Sequence, residues 1–285
     1  MGGDLDFPVP SLRFVPSEAL VLHERFDPQR TRPLVECFRR EGVLRNPPVV
    51  AELTPGTGDE LRYVVLDGAN RASAGREAGL PHMAVQLVRY EEPDVRLTTW
   101  THALADFPRA ELESVCAAVA HIECRAGNLM RARAQVARRE ALAYVAYAGG
   151  AVSTFHGGAT LHEKNALLNA LVDAYRDRHR YYRLTTQSIE TARARHREVT
   201  ALVVFPQLEP AEVVELAADG DPLPAGITRH LIRWRALRVD VPLERLADRS
   251  EPIEKKNLWL WSWIEQKQKQ RQVRFYEEST VLFDE

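Results

Sequence analysis

RYVVLDGANR, residues 62–71, is the stretch on which the reading of the chain turns. An apolar run rich in β-branched residues (Tyr63, Val64, Val65, Leu66) reads as a buried strand. It runs into Asp67-Gly68, a turn signal, and then into a segment with helical spacing that ends near Gly79. Met83–Tyr90 is again strand-like, so the unit reads as strand, turn, helix, strand. A strand feeding a glycine turn that opens a helix presents backbone N–H groups and the positive end of the helix dipole to an anion. Gly68 allows close approach of the backbone, Asn70 can cap or donate, and Arg71 can fork onto phosphate oxygens. Taken alone, a DG turn followed by an arginine is also a common structural turn.

Outward from this unit, Leu12–Val15 and Pro48–Leu53 read as strands. Between them Asp27 can cap a helix that begins at Pro28 and stops at Gly42, with Leu34, Val35 and Phe38 turned inward. Ala110–Ala148 is Ala- and Arg-rich with helical spacing, and His162–Arg178 adds a second helical stretch. The middle third therefore reads as a helical insertion. Leu202–Phe205 and Leu237–Val241 return to strand character, and Pro210–Ala218 to helix. A Trp-rich helix over Pro252–Arg271 and a strand around Val273–Phe283 finish the chain. The expected architecture is α/β (α+β), divided as 1–105, a helical region 106–200, and a C-terminal lobe 201–285.

The chain has 285 residues, enough for about two domains. Lys plus Arg number 38 against 40 Asp plus Glu, so no net field draws it onto nucleic acid or an anionic membrane. Cys37, Cys116 and Cys124 are scattered without a CxxC pair, which supports neither a disulfide framework nor a zinc site. The N-terminal MGGDLDFPVP has no basic n-region, and no apolar run reaches the ~20 residues that span a bilayer. A cytoplasmic protein is expected. Trp259, Trp261 and Trp263 are expected in the core or at a subunit contact, including a homodimer through that helix. Arg131, Arg133, Arg138 and Arg139 form a basic helix face that reads as solvated surface.

LHERF at 22–26, NPPVV at 46–50, YVVLDGANR at 63–71 and VQLVRY at 85–90 resemble, in order, the ParB/sulfiredoxin-like domains. TTW at 98–100, PAGITRH at 224–230, VDVPLERL at 239–246 and the terminal VRFYEESTVLFDE narrow the resemblance to the free L-serine kinases of that superfamily, siderophore-pathway members included. The matches cover the first hundred or so residues and most of 207–247.

The resemblance implies a ParB/sulfiredoxin-like N-terminal domain and a smaller C-terminal α/β lobe that completes an amino-acid site. It implies a kinase that takes ATP or ADP, with Mg²⁺ held mainly by the nucleotide phosphates, and makes O-phospho-L-serine from free L-serine. Glu24 matches the general base and Asp67 the aspartate at the head of the turn, which can orient the nucleophile or hold Mg²⁺ through water. Gly68, Ala69, Asn70 and Arg71 fall on the phosphate turn. Trp100 falls on the wall of the amino-acid pocket, and Thr228, Arg229 and His230 on groups for the α-carboxylate or phosphate. Where the family commonly carries one or two histidines, this chain has Ala69 and Asn70, which removes a titratable group. A ParB-like, nucleotide-dependent DNA-binding regulator is the competing expectation, and the near-neutral balance argues against it. A sulfiredoxin-type reductase needs a cysteine in the turn, where this chain has Gly68-Ala69.

Overall fold

The computed structural model describes residues 9–26, 28–53 and 61–276. The chain divides into two compact units, one made of 1–96 with 232–285 and the other of 97–231. The divisions thus fall at 96/97 and 231/232, not at 105 and 200. The C-terminal segment rejoins the first unit instead of forming a lobe of its own.

The first unit opens with β1 (Ser11–Pro16), β2 (Leu20–Leu22), α1 (Pro28–Glu41), β3 (Val43–Leu44), β4 (Val49–Leu53), β5 (Arg62–Asp67), α2 (Ala69–Glu77) and β6 (His82–Val88). Five of these strands form a mixed sheet in the order β1-β6-β4-β5-β2. β2 runs parallel to β5 with Leu22 opposite Val65, and β4 runs antiparallel to β5. Tyr63, Val64, Val65 and Leu66 are all buried, as a strand covered on both faces requires. The α1 helix ends before Gly42, whose φ of 66° makes the left-handed stop. Asp27, the expected cap, lies outside the described residues.

The second unit begins within β7 (Val95–Thr99) and continues through β8 (Thr101–Ala105), α3 (Arg109–Ala117), β9 (Glu123–Gly127), α4 (Leu129–Ala137), β10 (Ala143–Tyr147) and β11 (Val152–His156). It then runs through α5 (Leu161–Arg176), β12 (Tyr181–Leu184), α6 (Ile189–Arg195), β13 (Val199–Val204), α7 (Pro210–Ala218) and β14 (Thr228–Ile232). Six strands make an antiparallel sheet in the order β12-β8-β13-β10-β11-β9. The expected helical insertion is therefore corrected: residues 106–200 are α/β, and β10, read as helix, is a wholly buried strand at the centre of a sheet. The α5 helix starts where its sequence says it should, with Thr160 and Glu163 forming a reciprocal capping box.

His162, at the start of α5, meets two carboxylates beyond the end of α7. Its Nδ1 is 2.9 Å from Asp221 Oδ2 and its Nε2 is 3.1 Å from Asp219 Oδ2. The hydrogen bond to Asp221, followed by the charges of Asp221 and Asp219, raises the imidazole above its ordinary pKa. A raised folded-state pKa contributes stability that is full below the unfolded value and is lost as pH rises through the folded one. The stability difference between the wild type and His162→Ala is therefore expected at pH 5.5 and should vanish by pH 9 in thermal melts. An equal difference at both pH values would contradict the assignment.

Back in the first unit, β15 (Val241–Pro242) pairs with β3, and α8 (Leu243–Ala247) and α9 (Ile253–Lys269) close the described chain. Only Val241 and Pro242 are in a strand, so the expected strand over 237–241 shrinks to its end. Residues 273–276 are not strand, and 277–283 lie outside the described residues. The tryptophan cluster divides by helical phase. Trp259 and Trp263 stack at 5.3 Å and pack on the core of this unit, whereas Trp261 is 67% exposed. Lys256 is fully buried and caps the C-terminal end of α8, its Nζ donating to the carbonyls of Arg245 at 2.6 Å and Asp248 at 2.5 Å.

Candidate functional site

The parallel pairing of β2 with β5 decides where the first candidate residues lie. The ladder ends with Leu22 opposite Val65, so Glu24 follows two residues past the carboxyl end of β2, and Asp67 is the last residue of β5. Both residues therefore come at or just past the carboxyl ends of neighbouring parallel strands. That is where ligands bind in α/β sheets. His23, itself buried, hydrogen-bonds through Nδ1 to the Val65 carbonyl and places its Nε2 4.0 Å from Glu24 Oε1. A carbonyl only accepts, so that nitrogen carries the proton. Burial, and after it the Glu24 carboxylate, push the Tyr90 phenol well above its ordinary range, which sets Tyr90 near Glu24.

Gly68 caps α2 with φ 90° and ψ 29°, a left-handed conformation that carries the chain from strand to helix in one residue. A Cβ here would lie 3.1 Å from Pro48 Cα and 3.2 Å from the Arg71 guanidinium. Gly68→Ala is therefore expected to destabilise the protein by about 1–2 kcal/mol, read from denaturant unfolding. An unchanged midpoint would contradict the strain.

Arg71 folds back over this glycine. Its Nη1 donates to the Asn46 carbonyl at 2.8 Å and its Nη2 to Asp67 Oδ2 at 2.8 Å. The same Asp67 oxygen accepts from Arg235 Nη2. Arg235, absent from the residues read from sequence, thus belongs with the turn. Its Nε is buried with no hydrogen-bond partner among the described residues. The segment that carries it is pinned to the sheet of the same unit. Gln86 donates to the Trp234 carbonyl at 2.7 Å and accepts from the Ala236 N–H at 2.8 Å, while Asn46 Oδ1 accepts from the Arg238 N–H at 2.9 Å. Asn46 of NPPVV and Gln86 of VQLVRY therefore hold the walls of the turn.

The remaining candidates belong to the second unit. The Arg229 guanidinium lies 4.8 Å from the centre of the Trp100 ring. Thr98 Oγ1 donates to the Arg229 carbonyl at 3.0 Å, and the Trp100 N–H donates to the Ile227 carbonyl at 2.8 Å. Thr228 is buried, while Arg229 and His230 are half-buried. The structure brings Trp100, Thr228, Arg229 and His230 onto two neighbouring segments. It brings Glu24, Asp67, Gly68, Ala69, Asn70 and Arg71 to one end of the other unit's sheet. Of the basic helix face, Arg138 pairs with Glu140 at 2.6 Å and Arg139 with Glu212.

Comparison with solved structures gives the decisive likeness. SbnI of Staphylococcus aureus, truncated at its C-terminus, superimposes with a TM-score of 0.70 at 20% identity, over 90% of this chain and 96% of that one. A free serine kinase in complex with AMP superimposes with a TM-score of 0.68 at 17% identity, over 85% and 98%. The chain has the fold of the free serine kinases. No family model matches it. In sequence, the ATP-dependent L-serine kinase of Staphylothermus marinus is 33% identical over 98 residues, 34% of this chain and 37% of the relative. The ATP-dependent L-serine kinase SbnI of S. aureus is 29% identical over 91 residues, 32% of this chain and 33% of the relative. The aligned stretch spans about a third of the length of these curated relatives. Among the described residues no helix is long and apolar enough to cross a membrane.

Proposed function

We propose that the chain is a free L-serine kinase, transferring the terminal phosphoryl group of ATP or ADP to the serine hydroxyl. The observation that carries the reading is the emergence of Glu24 and the Asp67–Arg71 turn from adjacent parallel strands. A base for a hydroxyl and a cradle for a phosphate are what phosphoryl transfer to an alcohol requires. The serine oxygen attacks the terminal phosphorus, the bond from that phosphorus to the nucleotide breaks, and Glu24 takes the hydroxyl proton. A weak base suffices because the hydroxyl becomes acidic only as its bond to phosphorus forms. The backbone of 68–71 and the start of α2 hold the phosphates. Arg71 and Arg235, both on the Asp67 carboxylate, bring two guanidinium groups to the same place.

Asp67, 35% exposed at the head of the turn, suits an ion delivered with the nucleotide, since Mg²⁺ takes one or two carboxylates beside phosphate oxygens. When bound, that ion neutralises charge on the phosphates. Arg229, Thr228 and His230 pair with the carboxylate of the free amino acid, a group that a serine within a protein lacks. Trp100 holds the Arg229 guanidinium in place. Asn70, where the resembled family commonly has histidine, acts as a neutral hydrogen-bonding group.

Incubating the full chain with L-serine, Mg²⁺ and either ATP or ADP should yield O-phospho-L-serine by mass spectrometry. A serine-containing peptide should give none. Absence of product with both nucleotides would overturn the reading, and transfer to the peptide alone would overturn the choice of a free amino acid.

A further inference from the structure

Resting on the proposed function, we infer that His102 is a positioning residue for the amino-acid subsite, acting through the loop that leads into Thr228-Arg229-His230. His102 lies on β8 two residues beyond Trp100 and is fully buried. Its Nε2 is 2.9 Å from the Gly226 carbonyl and its Nδ1 is 2.7 Å from the Tyr175 hydroxyl. The Gly226 carbonyl can only accept, so in the neutral ring Nε2 carries the proton and Nδ1 accepts from Tyr175. The Tyr175 phenol, also fully buried, therefore fixes the tautomer that binds the loop. Tyr181 at 4.6 Å and Phe205 at 5.0 Å, between ring centres, hold the imidazole in orientation.

The loop is gripped on its other side as well. Gly226 has φ 79°, and a Cβ there would come within 2.9 Å of Arg183 Cδ, so the backbone is clamped between Arg183 and His102. Next along, the Ile227 carbonyl accepts from the Trp100 N–H. Earlier, the buried Asn165 donates to the Asp221 carbonyl at 2.9 Å, and the buried Asn169 donates to the Pro222 carbonyl at 3.1 Å. Leu223, Pro224, Gly226 and Ile227 are buried, so the backbone groups of this segment need partners, and the partners they have also set where the segment exits. Here the residues it delivers are Thr228, Arg229 and His230. Displacing a substrate-orienting arginine by even about 1 Å costs on the order of a hundredfold.

The test is steady-state kinetics of the full chain with serine and nucleotide varied separately. His102→Ala removes the imidazole hydrogen bond to the Gly226 carbonyl, and the serine KM should rise about tenfold or more, with the nucleotide KM unchanged. His102→Gln supplies an N–H near the position of Nε2 and should recover most of the loss. Tyr175→Phe, which frees the tautomer, should fall between them. These two variants keep the test open if the alanine variant fails to fold. An unchanged serine KM in all three, or a parallel rise in serine and nucleotide KM that glutamine does not rescue, would overturn the inference. A wild-type chain inactive on serine would instead sink the kinase reading, and this inference with it.

Discussion

Glu24→Gln is expected to lower kcat by about 10²–10⁴-fold, the usual contribution of a positioned general base. Glutamine keeps the shape of the side chain and its place two residues beyond β2, but it cannot accept a proton. His23 is held from the other side by the Val65 carbonyl, and the buried Tyr90 phenol is relieved of a nearby anion. The loss should therefore appear in kcat, with the thermal midpoint and the nucleotide KM close to wild type. Full turnover in this variant would remove Glu24 from the chemistry. A loss confined to KM would make it a binding group.

Arg71→Ala is expected to weaken nucleotide binding by about 10- to 100-fold, since each hydrogen bond to a charged group contributes about 1.5–3 kcal/mol. Arg71 is 11% exposed and already oriented by Asn46 and Asp67, so little side-chain freedom is lost when phosphate arrives. Arg71→Lys should recover little, because an ammonium cannot fork. Arg235→Ala should weaken the same equilibrium less and in the same direction, leaving Asp67 paired with Arg71. Titration calorimetry with ADP reads both. An affinity unchanged in Arg71→Ala would contradict the placement of phosphate on this turn.

The strand, glycine turn and helix of 62–79 were legible because each carries its own local cause. The buried run has no polar residue to interrupt it, Gly68 supplies the left-handed residue, and small side chains from Ala72 to Gly75 let the helix lie on the sheet. The middle of the chain was not legible for a physical reason. AYVAY at 143–147 is short, apolar and alanine-containing, and periodicity cannot separate a buried strand from a buried helix in such a run. The discontinuous first unit was hidden too. Nothing in the composition changes at residue 232, and the return is fixed by tertiary hydrogen bonds to Asn46 and Gln86. Arg235 shares Asp67 with Arg71 across 168 positions of sequence. Its only local signal is the basic run RWRALR just past Thr228-Arg229-His230. His102 gave no signal, because one histidine in a short run such as THALA looks like any other.

Phosphoryl transfer to the serine hydroxyl can be followed by ³¹P NMR of the product made from L-serine labelled with ¹⁸O in its hydroxyl. Attack by that oxygen on phosphorus predicts one ¹⁸O in the bridging position of every O-phosphoserine formed, seen as a single upfield-shifted resonance. No phosphoserine resonance, or phosphoserine without the label, would contradict it.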